Sequence, residues 1–204
     1  MKTITVVALS LLCFALPATA QVSIGWGIHG EAAKVDVGGT LSNVYGWGYG
    51  GGVHLDVDMM MISLRFSGDY TSIAPDQDKY RSALASLLGT TANSYVVDGG
   101  DLRFLSASAN VKWKILPLPI VSPYLTGGVG TTRISKSDLT VKYQGTAIGG
   151  VPNVGTQTKS AINLGAGVDL KLAGVALFIE GRYTWVLTDG EKTGYIPISI
   201  GITF

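Results

Sequence analysis

Tyr195-Ile196-Pro197-Ile198-Ser199-Ile200-Gly201-Ile202-Thr203-Phe204 reads as a strand with two unlike faces. Successive side chains of a strand point to opposite sides, so Ile196, Ile198, Ile200, Ile202 and Phe204 form one apolar face. Ser199, Gly201 and Thr203 occupy the other. At an open sheet edge such a strand would template aggregation, whereas a closed barrel has no edge. The stretch therefore predicts an all-β chain closed on itself, and the remaining sequence should supply the strands that complete it.

Working back from this stretch, the same alternation recurs. Val175, Leu177, Ile179, Tyr183, Trp185 and Leu187 stand against Glu180, Arg182 and Thr184, and Asp189-Gly190-Glu191-Lys192 turns into the final strand. Ile162, Leu164, Ala166, Val168 and Leu170 stand against Asn163, Gly165, Gly167, Asp169 and Lys171, with a tight turn at Ala173-Gly174. The strand from Tyr124 to about Ile134 is glycine-rich, and Leu125 and Val129 are assigned to its apolar face. Leu105, Ala107, Ala109, Val111, Trp113 and Ile115 oppose Ser106, Ser108, Asn110, Lys112 and Lys114 until Pro117 and Pro119 end the run. Met60, Ile62, Leu64, Phe66 and Tyr70 oppose Ser63, Arg65, Ser67 and Asp69, entered by a turn near Asp58-Met59. Before it come Tyr45, Trp47, Tyr49, Val53, Leu55 and Val57 against Gly46, Gly48, Gly50, Gly52, His54 and Asp56. The first strand, from Val22 to about Ala33, sets Ile24, Trp26 and Ile28 against Gly25, Gly27 and His29. These eight predicted strands run to roughly ten residues or more, the length a tilted strand needs to cross a bilayer.

Connections alternate in length. Residues 34–43, 74–100 and 135–158 form long loops, while the turns near Asp58, after Ile115 and at Ala173 are short. Within the second long loop, Tyr80, Ala83, Leu84, Leu87 and Leu88 recur at helical spacing between Asp78 and Gly89, predicting a short amphipathic helix. The alternation Asp138 to Tyr143, followed by Gly149-Gly150-Val151-Pro152-Asn153, predicts a hairpin in the third. Aromatic residues gather at strand ends, with Tyr45, Trp47, Tyr49, Tyr70, Tyr183 and Trp185 toward the loops and Trp113, Tyr124 and Phe204 toward the turns. That is the arrangement of interfacial girdles. Pairing about the turn centres places Arg65 opposite Gly52, Glu180 opposite Gly167 and Arg182 opposite Gly165, so each long side chain would face open space inside a narrow barrel. The reading is an eight-stranded antiparallel up-and-down transmembrane β-barrel.

Lys2, the apolar run Ile4 to Leu16 and the small residues Pro17-Ala18-Thr19-Ala20 predict a secretory leader over residues 1–20, cleaved before Gln21, with the barrel domain occupying 21–204. Cys13, the one cysteine, would leave with it. Without Lys2 the chain carries fourteen basic and fourteen acidic residues, a balance that gives no electrostatic case for nucleic-acid binding. With the sequence stopping at Phe204, no cell-wall-binding domain is expected after the barrel.

The segments Pro123 to Gly130, Asn163 to Asp169, Phe178 to Tyr183 and the final strand resemble those of small outer-membrane barrels of the OmpA/OmpX type, in the porin-like outer membrane protein β-barrel domain family. The resemblance implies residence in the cell outer membrane with both termini periplasmic. It also implies contact with outer-membrane lipid and lipopolysaccharide, and insertion by an assembly machinery that reads Ile198, Ile200, Ile202 and Phe204.

His29, Glu31, His54 and Asp56 invite a metal or acid–base reading, but no ligand spacing links the two histidines. By parity all four point into the lumen, where the expectation is a structural network: Glu31, Asp56, Asp69, Asp169 and Glu180 pairing with Arg65, Lys112, Lys114, Lys171 and Arg182. No metal, cofactor or catalytic residue is expected, since no histidine lies on the lipid face beside a nucleophile. Removing Arg182 should strand its partner at a cost of about 3 kcal/mol. Two functional readings follow. One is an anchored structural or surface-interaction protein with a plugged lumen, meeting a partner through loops 34–43, 74–100 and 135–158. The other is a narrow porin-like or OmpW-like conduit for small solutes or apolar ligands.

Overall fold

The computed structural model describes residues 22–37, 45–89, 95–143, 146–151, 155–172, 174–187 and 193–204. The leader at 1–20 and the turn residues 189–192 lie outside these. The strands are β1 (Val22–Val37), β2 (Tyr45–Met59), β3 (Ile62–Pro75), β4 (Tyr95–Gly99), β5 (Leu102–Lys114), β6 (Val121–Lys136), β7 (Leu139–Tyr143), β8 (Thr146–Val151), β9 (Gln157–Leu172), β10 (Val175–Val186) and β11 (Thr193–Thr203), with one helix α1 (Gln77–Leu88). Eight of them form a closed antiparallel barrel in the order β1-β11-β10-β9-β6-β5-β3-β2. The seam joins the first strand to the last, from Gly27 opposite Thr203 to Val37 opposite Thr193. Trp26 and Phe204 close it at the turn end: their backbones exchange hydrogen bonds of 3.3 and 2.8 Å, and their rings lie 5.0 Å apart.

Strand alternation sorts the side chains as expected. Ile24, Ile28, Val53, Leu55, Phe66, Val111, Ile162, Leu164 and Ile179 are exposed on the outside, an apolar belt that water would not tolerate and a bilayer would cover. Leu125 and Val129 are also outside. No helix among the described residues is long and apolar enough to cross a membrane.

Several boundaries differ from those read in the sequence. β1 continues to Val37, so the first four residues of the expected loop 34–43 are strand, paired on both sides as far as Lys34. The β2–β3 turn is Met60-Met61, with Met59 opposite Ile62 and Met60 at φ 31°. This shifts the register away from the expected centre, so Arg65 faces Asp56 and Gly52 faces Asp69. The pairs Glu180 with Gly167 and Arg182 with Gly165 stand as expected.

In the loops, β7 and β8 form the expected hairpin, and β4 adds to it as a third strand in the order β4-β7-β8. β4 has no counterpart in the sequence reading. α1 starts one residue before the expected Asp78, because Asp76 is its N-cap and accepts from the Lys79 backbone N–H at 3.3 Å; Gly89 ends it in the left-handed conformation at φ 62°. That hydrogen bond, first among the causes, holds the exposed Asp76 carboxyl below its ordinary value of 3.8. A lowered folded-state pKa means the cap is intact above that value and is lost as pH falls through the lower, folded one. Amide exchange of Tyr80, whose N–H bonds the Asp76 carbonyl, is therefore expected to speed up at strongly acidic pH in the native chain. In Asp76→Ala it should be fast at every pH.

Candidate functional site

The inside of the barrel is filled in two layers. At the turn-side half, Arg65 grips Asp56 with two hydrogen bonds, Nε to Oδ1 at 2.7 Å and Nη2 to Oδ2 at 2.8 Å, and reaches toward Glu180 at 3.7 Å. Its guanidinium lies 4.2 Å from the centre of the Phe178 ring. Lys112 donates to both oxygens of Asp169 at 3.1 and 3.2 Å, stands 3.8 Å from Asp56, and sits 4.1 Å over the Tyr124 ring. The Tyr124 hydroxyl donates to Glu180 Oε2 at 2.8 Å. Arg182 Nε is 2.9 Å from Glu180 Oε1, an ion pair whose N–H is misaligned for a hydrogen bond. Toward the turn, Lys114 pairs with Asp58 at 2.6 Å, and Ser63 donates to the same carboxylate. Toward the loops, His54 Nε2 meets Thr203 Oγ1 at 2.9 Å, His54 Nδ1 meets His29 Nδ1 at 3.4 Å, and His29 Nε2 meets Asp69 Oδ1 at 2.8 Å. Thr71 donates to Glu31. Charges buried this deeply persist because nearly all are paired and hydrogen-bonded.

Above this lies an apolar layer. Ala33, Val35, Tyr45, Ile73, Phe104, Val186 and Tyr195 form a buried cluster inside the loop-side mouth, flanked by Leu102 and Ile134. Phe104 stacks on Tyr195 with ring centres 5.0 Å apart, and the Tyr195 hydroxyl meets Ser106 Oγ at 3.1 Å. At this level charged side chains join the outer face, with Lys34 beside Trp47 and Ile196 and Arg133 beside Leu105, while Ala33, Phe104 and Ile134 turn inward. This is the edge of the apolar belt, where charged and apolar side chains share the outer face around an apolar interior. The polar network below belongs to the stretch wrapped in the apolar belt.

Of the residues singled out from sequence, His29, Glu31, His54, Asp56, Arg65, Asp69, Lys112, Lys114, Asp169, Glu180 and Arg182 are all buried in the lumen. Lys171 is not. It is exposed at the end of β9, one pair from the turn, where the strand has passed the closed bore. Trp47, Tyr49, Tyr70, Trp113 and Trp185 face outward, as do Ile198, Ile200 and Phe204, while Tyr183 and Ile202 are partly covered. Two aromatic assignments need correction. Tyr124 is 1% exposed and points inward, because Leu125 beside it points out. Tyr45 also points inward, because a register shift between Tyr45 and Gly48 reverses parity at the start of β2.

Asp58 and the apolar layer were not anticipated. Asp58 was placed in the turn, which lies two residues further on. The signal for the apolar layer was present in the polar outward residues Lys34, Arg103 and Arg133, which mark the edge of the belt while their neighbours Ala33, Phe104 and Ile134 are apolar and inward. Gly167 shows how tightly the lower layer fits: a Cβ there would lie 2.5 Å from the Tyr124 ring and 2.7 Å from the Ile179 carbonyl. Gly167→Ala is therefore expected to destabilise the barrel by about 1–3 kcal/mol in urea unfolding from lipid, with Tyr124→Phe in the same background recovering little of it.

The family model described as "Outer membrane protein beta-barrel domain" matches residues 6–204. No curated protein sequence matches the chain. Among solved structures, Neisserial surface protein A (NspA) is 17% identical, with 89% of this chain and 97% of that one covered at a TM-score of 0.58. A major outer membrane protein from Thermus thermophilus is 10% identical, with 89% and 100% covered at a TM-score of 0.50. At these identities the likeness is one of fold. A match that spans the described barrel, together with its outward apolar belt, gives the conclusion that this chain belongs to the outer membrane protein β-barrel domain family and resides in the cell outer membrane.

Proposed function

We propose that the barrel is a closed membrane anchor whose function lies in the loop assembly it carries, and that its lumen conducts nothing. The observation behind this reading is the double filling of the bore: an apolar layer at the loop-side mouth over a charge network, with a cavity of about 20 Å³ between Glu31, Asp69, Asn163 and Arg182, no more than a single water needs. Above it the β4-β7-β8 sheet and α1 give the loops regular structure, which suits recognition of a partner at the cell surface. In this reading both termini are periplasmic, the outer belt meets lipid and lipopolysaccharide, and the terminal strand is what the assembly machinery receives. Liposomes carrying the refolded barrel are expected to swell no faster than empty ones in iso-osmotic arabinose; rapid swelling would favour the conduit reading. Orientation is tested separately with single cysteines at Lys142 in β7 and Pro119 in a short turn. An impermeant maleimide applied to intact cells should label the first and spare the second, and the reverse pattern would invert the topology.

A further inference from the structure

Each basic side chain in the lumen has a carboxylate of its own: Arg65 holds Asp56, Lys112 holds Asp169, Lys114 holds Asp58 and Arg182 holds Glu180. Among the described residues two buried carboxylates, Glu31 and Asp69, have no ion pair with a lysine or arginine, and they are neighbours. Glu31 accepts from the Thr71 hydroxyl, and Asp69 accepts from Ser67 at 2.9 Å and meets His29 at 2.8 Å. One donor atom each from His29, Glu31 and Asp69 lies within 4.8 Å of the others. Beside Glu31 and Asp69 opens the 20 Å³ cavity, and Asn163 lines it from β9 with its Oδ1 buried and without a hydrogen-bond partner. Arg182 lines the same cavity; it is ion-paired with Glu180, and its charge also acts on Glu31 and Asp69.

We infer that His29, Glu31 and Asp69 form a divalent-cation site inside the barrel, with Asn163 Oδ1 or a water in the adjoining cavity as a further donor. Two unmatched carboxylates equal the charge of one such ion. One imidazole nitrogen with oxygen donors suits Zn²⁺, which takes four ligands at about 2.0–2.2 Å. The donors would settle about 3.4 Å from one another, the His29–Asp69 contact opening from 2.8 Å as its hydrogen bond is replaced.

The second histidine makes this possible without stranding a proton. With neutral rings and the Asp69 carboxylate as acceptor, the contacts Thr203–His54, His54–His29 and His29–Asp69 admit one consistent row: Thr203 donates to His54 Nε2, His54 Nδ1–H to His29 Nδ1, and His29 Nε2–H to Asp69. Reversing the row, His29 Nδ1–H donates to His54 Nδ1 and His54 Nε2–H to Thr203, which frees the His29 Nε2 lone pair for the ion. The reversal moves protons along the row without adding or removing one. A ligating histidine that passes its other N–H to a fixed partner is the usual outer-shell arrangement.

The site is enclosed, so the ion would be taken up as the barrel closes. The test is to refold the mature chain in micelles with a small excess of Zn²⁺, remove the excess by gel filtration and count bound zinc by mass spectrometry. About one zinc per folded chain is expected, falling to below about a tenth in His29→Gln and in Asp69→Asn. Folding of each variant is read from its heat-modifiable electrophoretic mobility. Native chain that folds free of zinc overturns the proposal whatever the variants do, and so does full zinc binding retained by both folded variants.

Discussion

Arg65→Ala should cost the folded barrel about 3–5 kcal/mol, read as a shift of the urea midpoint for the chain in lipid vesicles. The guanidinium is 3% exposed and carries three connections at once: a fork on Asp56, an ion pair toward Glu180 and a stack on Phe178. Its loss strands Asp56 with Lys112 at 3.8 Å as its remaining cation, in a bore that water reaches poorly. An unpaired buried carboxylate is far costlier than the net worth of the pair that held it. Arg65→Lys should fall between native and alanine, since a point charge replaces one bond of the fork and loses the planar stack. A loss under about 1 kcal/mol for Arg65→Ala would mean that water enters this layer freely.

Phe104→Ala tests the upper layer, with an expected loss of about 3–5 kcal/mol. The ring is 1% exposed, stacks on Tyr195 and packs among Ala33, Val35, Ile73 and Val186, so truncation leaves a void that a closed sheet cannot collapse to fill. Leu105, the next residue, points outward and is 54% exposed. Leu105→Ala in lipid should cost below about 1 kcal/mol, since acyl chains occupy the space it leaves. Equal losses at the two positions would contradict the sidedness of β5.

How much of this was legible in the chain depends on whether the information was local. The eight barrel strands and most facing assignments follow from alternation, a property of neighbours, and they stand. The register of β9 against β10 could be read because Gly174 marks its turn, at φ 88°. The register of β2 against β3 could not, because Met60-Met61 carries no turn signature. A shift of four positions moved Arg65 from Gly52 to Asp56 and hid the doubly hydrogen-bonded Arg65–Asp56 ion pair. Tyr124 could have been placed, since parity with Leu125 already sent it inward. Tyr45 could not, because the irregularity before Gly48 has no sequence mark. β4 pairs with β7 across the intervening β5 and β6, a partnership no local window contains. Asp69 shares that character: sequence offered His29 and Glu31 on one strand, and the curvature of the wall across β2 brings the third donor from β3 beside them.

The central claim is that the bore is closed. Single-channel recording of the refolded mature chain in a planar bilayer addresses it directly, with Phe104→Ala and Arg65→Ala recorded alongside. The native chain should be silent at every voltage the bilayer withstands, and brief openings should appear in the variants. Steady, reproducible conductance from the native chain would contradict the account, since it would require a continuous water path past both the Phe104 layer and the Arg65 network.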